Sequence, residues 1–332
     1  MVKIQTVELG EFPLWLSPME DVTDPPFRRI CKRMGADVLV TEFVSSEALI
    51  RNAEQSIHKL DFEEGERPLA IQIFGHDENS MRQAAEMAAQ YKPDFIDINW
   101  GCPVKKVVSK GAGSGILQNI PKMIQITRAV VEAMAQYAIP VSVKTRLGWD
   151  ETSKPIVYVA EALQDIGIAG LSIHGRTRAQ MYKGTADWTL IGEVKNNTRM
   201  HIPIFGNGDI DNSEKALLMR NRYGIDGILI GRAAIGNPWI FEQIQAGLRG
   251  ENIRTPDLCE RIAVCKEHLA QSILWKGEIV GVLEMKKHYS GYFKGIENFK
   301  PIKMLLMESK EQKEVEALLS TIANRSPNIL PA

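Results

Sequence analysis

Cysteine is scarce in this 332-residue chain: Cys31, Cys102, Cys259 and Cys265 are the whole set. None stands in a CxxC pair and no metal-ligand spacing appears, which excludes a disulfide scaffold and a zinc-type centre and predicts reduced thiols in a cytoplasmic protein. Long apolar runs are missing too. No stretch approaches the roughly 18 residues of a membrane span, and the opening MVKIQTVELGEFPLWLSPM lacks the apolar core of a secretion signal. Net charge is almost absent, at −1 from 40 basic and 41 acidic residues, so any grip on a polyanion must come from charge gathered on one face. Low-complexity tracts and short tandem repeats are lacking. So is a GxGxxG turn: the first apolar run leads into SPMEDVTDPPF, which argues against a doubly wound dinucleotide fold.

What is present is alternation. Eight short runs rich in Val, Ile, Leu and Phe recur at Pro13–Met19, Ala36–Phe43, Pro68–Gly75, Asp94–Gly101, Pro140–Gly148, Gly170–Arg176, Ile202–Asp209 and Asp226–Ala233. Such runs suit parallel strands covered on both faces. Between them lie segments of helical spacing, among them NSMRQAAEMAAQY, PKMIQITRAVVEAMAQ, KPIVYVAEALQDIG and NSEKALLMRNRYG. The second carries a proline suited to a first helical turn, and the last two end at glycine. The count and length predict the α/β class, as a (β/α)₈ TIM barrel. After Gly250 the strand-like runs stop and three helical segments follow: TPDLCERIAVCKEHLAQSILWKG, GVLEMKKHYSGYFKGI and KEQKEVEALLSTIANR. Residues 1–250 are therefore expected to form a catalytic barrel and residues 251–332 a small all-helical domain, with a helical extension packed on the barrel as one unit as the alternative.

Reactive groups of such barrels sit at the C-terminal ends of the strands. In order along the chain, the ends carry Met19-Glu20, Glu42, Gln72, Asn99 with Cys102, Lys144 with Arg146, His174 with Arg176, Asn207-Gly208-Asp209 and Gly231-Arg232. Taken singly, each has a plain structural reading: a lysine can snorkel outward, and a lone histidine can be a satisfied core residue. Together they are groups that are costly to bury unpaired, and a buried Lys144 calls for an anion. The glycines of FGNGD and IGRAAIG follow the seventh and eighth runs, where barrels hold phosphate on backbone N–H groups, and Arg232 adds a forked charge. A ligand with a phosphate tail in the barrel mouth is the expectation. Cys102, framed by Gly101 and Pro103, is either a small core residue or a deliberately aimed thiol.

In order and spacing, SPMEDVTDPPFR, TEFVSS, QIFG, DINWGCPVKKV, GAGSGIL, VKTRLGW, IHGRTRAQMYKG, GNGDI and IGRAAIGNPWIF resemble the tRNA-dihydrouridine synthases, most nearly the bacterial B-type enzymes. The likeness spans Pro13 to Gln243, and MKKHYSGYFKG is similar to that family's C-terminal helical domain. Two positions depart from the pattern, Trp100 where methionine is usual and Ser17 where alanine is usual. The resemblance implies FMN in the barrel, NADPH or NADH as reductant, and reduction of the 5,6 double bond of specific uridines in the D-loop of tRNA. It implies that Ser17, Pro18, Met19, Gln72, Lys144, His174, Asn207, Gly208, Asp209, Gly231 and Arg232 hold the flavin. Lys144 would stabilise the anionic reduced ring. Cys102 would protonate C5 of the uracil from the face opposite the hydride donor, as a thiol with a pKa of roughly 8.5 can do. Asn99 would hold the uracil edge, and Arg176, Arg178 and Tyr182 would bind phosphates or stack on an extruded base. Lys286 and Lys287, with neighbouring lysines interleaved with Tyr289, Tyr292 and Phe293, would offer tRNA a basic, aromatic surface; a solvated helix face is the plainer reading. No membrane, no metal and a monomeric state are expected. Two competitors remain: a flavin barrel acting on a free pyrimidine, similar to dihydroorotate dehydrogenase, and an RNA-binding protein with a vestigial flavin site.

Overall fold

Side chains alternate between the two faces of a strand, and this chain's barrel strands put aliphatic residues at the outward positions. Leu14, Leu16, Ile71, Ile73, Ile96, Ile98, Val141, Val143, Leu171, Ile173, Ile204, Ile228 and Ile230 all join one buried layer with the surrounding helices. The computed structural model describes residues 1–324. Its strands are β1 (Val2–Ile4), β2 (Val7–Gly10), β3 (Leu14–Leu16), β4 (Leu39–Val40), β5 (Val44–Ser45), β6 (Leu69–Phe74), β7 (Phe95–Trp100), β8 (Val141–Arg146), β9 (Gly170–His174), β10 (Ile204–Asn207) and β11 (Gly227–Ile230). All eight expected runs contain strands, and they pair in parallel in the order β3-β11-β10-β9-β8-β7-β6-β4, with β5 extending the β4 position along β6. A single parallel bridge from Trp15 to Val38, with Leu16 N donating to Val38 O at 2.9 Å, closes the cylinder. The (β/α)₈ barrel is thus the fold.

The inward row changes character along the axis. Its lower end is apolar, with Trp15, Val38, Ala70, Phe95, Phe205 and Leu229 filling the floor. The hairpin β1–β2, which sequence pattern did not suggest, seals that floor through Ile4 and Leu9. The fit is close at Gly170, where an added Cβ would lie 3.1 Å from Ile4 Cδ1. Further up the same faces stand Gln72, Asp97, Asn99, Ser142, Lys144, Ser172, His174 and Asn207. Buried polar groups are costly unless paired, so these must satisfy one another or face the barrel mouth.

The tail is helical, with Leu258–Lys276, Glu278–Met285, Tyr289–Tyr292, Phe299–Glu308 and Gln312–Asn324. Its own core, built on Cys265, Leu269, Tyr289, Tyr292, Phe293 and Leu319, also takes in Ile30 and Trp239 from the barrel side. The expected helix over GVLEMKKHYSGYFKGI breaks after Met285. There the turn runs against the loop at Ile235-Gly236 so closely that a Cβ at Gly291 would lie 2.0 Å from Ile235 O. Tyr289, Tyr292 and Phe293 are buried, so the aromatic half of the expected RNA surface is a correction: these rings stabilise the tail instead. Arg325 and the rest of the 251–332 segment beyond it lie outside the described residues. Among the described residues no helix is long and apolar enough to cross a membrane.

The first β-to-α connection, which carries Ser17 to Thr23, is anchored from below by Arg28. Its guanidinium donates to Thr23 O at 3.0 Å and to Asp61 O at 2.9 Å, and it pairs with the fully buried Glu66 at 2.6 Å. Removing one partner of a buried pair strands the other's charge. Arg28→Met is therefore expected to lower the free energy of unfolding by about 3–5 kcal/mol in urea titration; a loss below about 1 kcal/mol would contradict the anchoring role.

Candidate active site

The strand ends that carry polar groups surround a cavity of about 970 Å³ in the barrel mouth. From β3 and its loop come Ser17, Pro18 and Met19; from β7 and its loop, Asn99 and Cys102; from β8, Lys144 and Arg146. Across the opening stand His174 and Tyr182, then Asn207, Gly208 and Asp209, then Gly231 and Arg232. The structure thus brings most of the sequence-expected residues to one wall. It leaves Gln72 fully buried behind that wall, Arg176 and Arg178 off the lining, and Lys286 and Lys287 on the tail.

Cys102 ends a strand because the turn after β7 is built around one side chain. Asn99 Oδ1 accepts from both Gly101 N and Cys102 N, each at 2.9 Å, an Asx-type turn that stops the ladder. Arg146 Nε donates to Gly101 O at 2.7 Å, while Ser114 N and Oγ donate to Cys102 O at 3.0 and 2.8 Å. Ser114 reaches that carbonyl because Gly113 takes φ +53 and passes so near that a Cβ there would lie 2.8 Å from Cys102 O. The backbone around the thiol is fully committed, and Cys102 lies at the cavity wall with 7% exposure. Burial pushes the thiol above its ordinary value, a larger effect than the opposing pull of the Val104 amide, Arg146 and Lys144. The group is a thiol, not a thiolate, at neutral pH. Asn99 Nδ2 gives one of its two hydrogens to Gln72 Oε1 at 2.9 Å, Gln72 Nε2 donates to Asp97 Oδ2 at 2.5 Å, and Asn99 also lines the cavity.

Cations converge on the cavity. Lys144 Nζ donates to Asn207 Oδ1 at 3.1 Å, and Asn207 Nδ2 donates to Leu229 O at 2.9 Å. Burial, then repulsion from Arg146, pulls Lys144 down to about 8, against the attraction of Asp97. Arg146 is likewise pulled down, to about 10, chiefly by burial. His174 sits well below its usual range because it is buried and faces Arg146, Lys144, Arg176 and Arg232; it is neutral at pH 7. Its Nε2 lies 3.3 Å from Arg176 Nη1, which can only donate, so the ring proton belongs on Nδ1.

Arg176 differs most from its expected part. Its guanidinium is buried and spent on Lys183 O, Gly184 O and Asp209 Oδ2, the last at 2.7 Å, so it braces the loop after β9. Asp209 also takes Ala186 N at 2.8 Å and Arg232 at 3.0 Å, and these cationic and amide partners outweigh the effect of burial to hold its carboxyl below the usual range. Arg178 lies over the Trp149 ring at 4.6 Å. Tyr182 is half exposed, with Arg146 and Arg232 over its ring at 5.6 and 5.2 Å. Lys287 pairs with Asp21 at 3.1 Å, at the rim beside Glu20. Glu42, at the second strand end, is buried, accepts from Asp21 N and is pushed up to about 7 by that burial, with Lys59 opposing. Sequence reasoning passed over Asp97, Ser114 and Ser142 and gave Arg146 no site role. Asp97 shares a strand face with Asn99, and that spacing of two was the available signal. Among the described residues no group of three or more His, Cys, Asp or Glu stands where it could hold a metal ion.

The dihydrouridine synthase family model matches residues 15–326. A tRNA-dihydrouridine synthase B of Pseudomonas putida is 40% identical over 294 residues, covering 87% of this chain and 86% of that one. Its counterpart in Pseudomonas aeruginosa is 41% identical with 87% of both chains covered, and a probable tRNA-dihydrouridine synthase of Rickettsia conorii is 38% identical, covering 90% and 89%. Among solved structures, a 2-naphthoyl-CoA reductase matches with TM-score 0.53 at 11% identity, over 72% of this chain and 50% of that one. Histamine dehydrogenase from Rhizobium sp. 4-9 matches with TM-score 0.53 at 13% identity, over 80% and 50%. These last two speak for the barrel alone. The fold and the relatives together place the protein among oxidoreductase barrels. The chain belongs to the dihydrouridine synthase family.

Lys144 offers a direct check on the electrostatics. In ligand-free protein, its side chain is expected to titrate near 8 by NMR of ¹³C-methylated lysines; a value above 10 would contradict the crowded, buried environment. Its folded pKa lies below the unfolded value, so between about 8 and 10.5 the unfolded chain holds more protons there. This group therefore makes stability rise with pH in that window, and Lys144→Met should flatten the rise.

Proposed function

We propose that this protein is a tRNA-dihydrouridine synthase that holds FMN in the barrel mouth, is re-reduced by NADPH or NADH, and uses the Cys102 thiol as the proton donor to C5 of uracil. The observation that carries the reading is the protonated, rigidly framed thiol of Cys102 at the wall of a cavity that Lys144, Arg146 and Arg232 also line.

The residues present fit a flavin mononucleotide. At the phosphate end, no acceptor among the described residues takes the backbone N–H of Gly231, Arg232 or Ala233. Gly231 leaves open the space beside them, since a Cβ there would stand 3.6 Å from Ser17 Cβ and 3.7 Å from Met19 Sδ in the cavity wall. Arg232 supplies a forked cation beside those amides. At the ring end, Lys144 supplies positive charge where a reduced, anionic ring would need it. When bound, FMN supplies hydride chemistry that no side chain here can perform.

The remaining steps fall to the chain. Lys144, Arg146 and Arg232 make the mouth attractive to an anion. His174, held neutral, offers a hydrogen bond without adding to the cationic crowd. Cys102 holds its proton at Sγ because burial outweighs the nearby cations, and releases it to a carbon that becomes basic once hydride has added next to it. Asn99 positions that thiol through two amides, and the second hydrogen of its Nδ2, at the cavity wall, is left for the uracil edge. Tyr182, exposed at the rim, is the ring available to an extruded base. For the tail we propose a tRNA-binding role for residues 251–332 in which the lysines act without the buried aromatics. Lys286 stays available, whereas Lys287 must exchange Asp21 for phosphate.

The test is reduction of unmodified tRNA by the purified, FMN-loaded protein with NADPH, with dihydrouridine read by mass spectrometry. Turnover on tRNA and none on free uridine is expected; activity on the free nucleoside alone would overturn the reading. In the same assay Cys102→Ala should keep its yellow colour and tRNA affinity while kcat falls at least a hundredfold, within the roughly 10²–10⁴ span of a positioned acid. Unimpaired turnover in that variant would remove the proton-donor assignment.

A further inference from the structure

We propose that Asp97, whose carboxylate lies behind the cavity wall, is a positioning residue for Cys102, acting through Gln72 and Asn99. This rests on the reading of Cys102 as the reacting thiol.

The four links are consecutive and all buried. Gln72, Asp97 and Ser142 are direct neighbours across β6, β7 and β8. Ser142 Oγ donates to Asp97 Oδ1 at 2.5 Å, and Gln72 Nε2 donates to Asp97 Oδ2 at 2.5 Å. Gln72 Oε1 accepts from Asn99 Nδ2 at 2.9 Å, and Asn99 Oδ1 accepts from Gly101 N and Cys102 N. Ala70 and Phe95 of the apolar floor lie below this row on the same strand faces, so the chain cannot be completed by solvent from beneath.

Polarity gives the row its meaning. An ionised carboxylate only accepts, whereas a carboxamide has one accepting and one donating end. Asp97 therefore makes Gln72 turn its nitrogen inward and its oxygen toward β7. Asn99 must then present its nitrogen to Gln72 and its oxygen to the turn. Any flip sets acceptor against acceptor at Asp97, or donor against donor at the Gly101 and Cys102 amides. Both ends demand the same setting, and the turn that aims Cys102 is held in one orientation from a point two side chains away. Burial raises the Asp97 carboxyl above its ordinary value, with the Ser142 and Gln72 hydrogen bonds and then Lys144 pulling against it; the geometry itself, with both carboxyl oxygens accepting, sets the direction of the row.

The test separates polarity from charge. Asp97→Asn keeps an acceptor for Gln72 and a donor for Ser142 Oγ but removes the charge. Asp97→Leu keeps the volume and removes both. The readout is the alkylation rate of Cys102 by iodoacetamide at pH 8 in FMN-loaded protein, followed by peptide mass spectrometry, with kcat and KM for tRNA measured alongside. We expect Asp97→Asn to alkylate within twofold of the unaltered protein. In Asp97→Leu the loosened turn should raise the alkylation rate at least fivefold and lower kcat at least tenfold, with KM for tRNA within twofold. An Asp97→Leu protein with unaltered alkylation and kcat would overturn the proposal. So would an Asp97→Asn protein that alkylates as fast as Asp97→Leu, which would assign the residue a charge role only. Should Asp97→Leu not fold, Gln72→Met breaks the row one link nearer the thiol, and an alkylation rate within twofold of the unaltered protein would overturn the relay. The alkylation readout does not pass through turnover: full activity in Cys102→Ala would sink the proton-donor reading and leave the relay standing.

Discussion

A closed barrel gives each strand one row of side chains with nowhere to go but inward, and that row must be either packed or satisfied. Here the two solutions follow one another along the axis. Trp15, Phe95 and Phe205 fill the floor, and above them the same faces carry amides, a carboxylate, a lysine and a histidine. Where the row is covered, at Gln72, Asp97 and Ser142, each polar group is tied to a neighbour whose own orientation it then dictates. The turn at Gly101-Cys102 inherits its rigidity from this. Its amides, its carbonyls and the residue that receives them are all engaged.

The electrostatic consequence is an imbalance. Lys144, Arg146 and Arg232 line the cavity with Arg176 behind them, while Asp209 pairs with Arg176 and Arg232, Asp97 lies behind the wall, and Glu20 and Asp211 stand elsewhere on the lining. Burial and mutual repulsion loosen the protons of Lys144 and Arg146 and keep His174 neutral. At Cys102 the same cations would favour a thiolate, as they do in nucleophilic cysteine sites. They do not prevail, because desolvation is the larger effect there. That ordering suits an acid rather than a nucleophile, and an anionic ligand in the mouth would complete the charge balance.

Much of this was legible in the sequence. Eight aliphatic runs specified the strands, because parallel strands buried on both faces leave a continuous signal. The polar ends of those runs pointed to one mouth, since strand direction is shared. Three things were hidden. The role of Asp97 depends on which residues of β6 and β8 lie beside it, and register is not written in one strand's residues. Arg176 reads as a free cation until the fold shows its guanidinium turned inward onto Asp209. Tyr289, Tyr292 and Phe293 follow a run of basic residues that suggested an exposed face, but the helix breaks near Met285 and the rings turn into the tail core.

The central claim is that a base would be held with Cys102 on one side and the flavin on the other. The stereochemistry of the product tests it most directly. Turnover on tRNA in D₂O with reductant deuterated at nicotinamide C4 supplies deuterium to C6 from the hydride and to C5 from the exchangeable thiol, and NMR coupling constants of the isolated nucleoside report their relative faces. The account predicts addition on opposite faces, lost or slowed with Cys102→Ala; addition to the same face would contradict it.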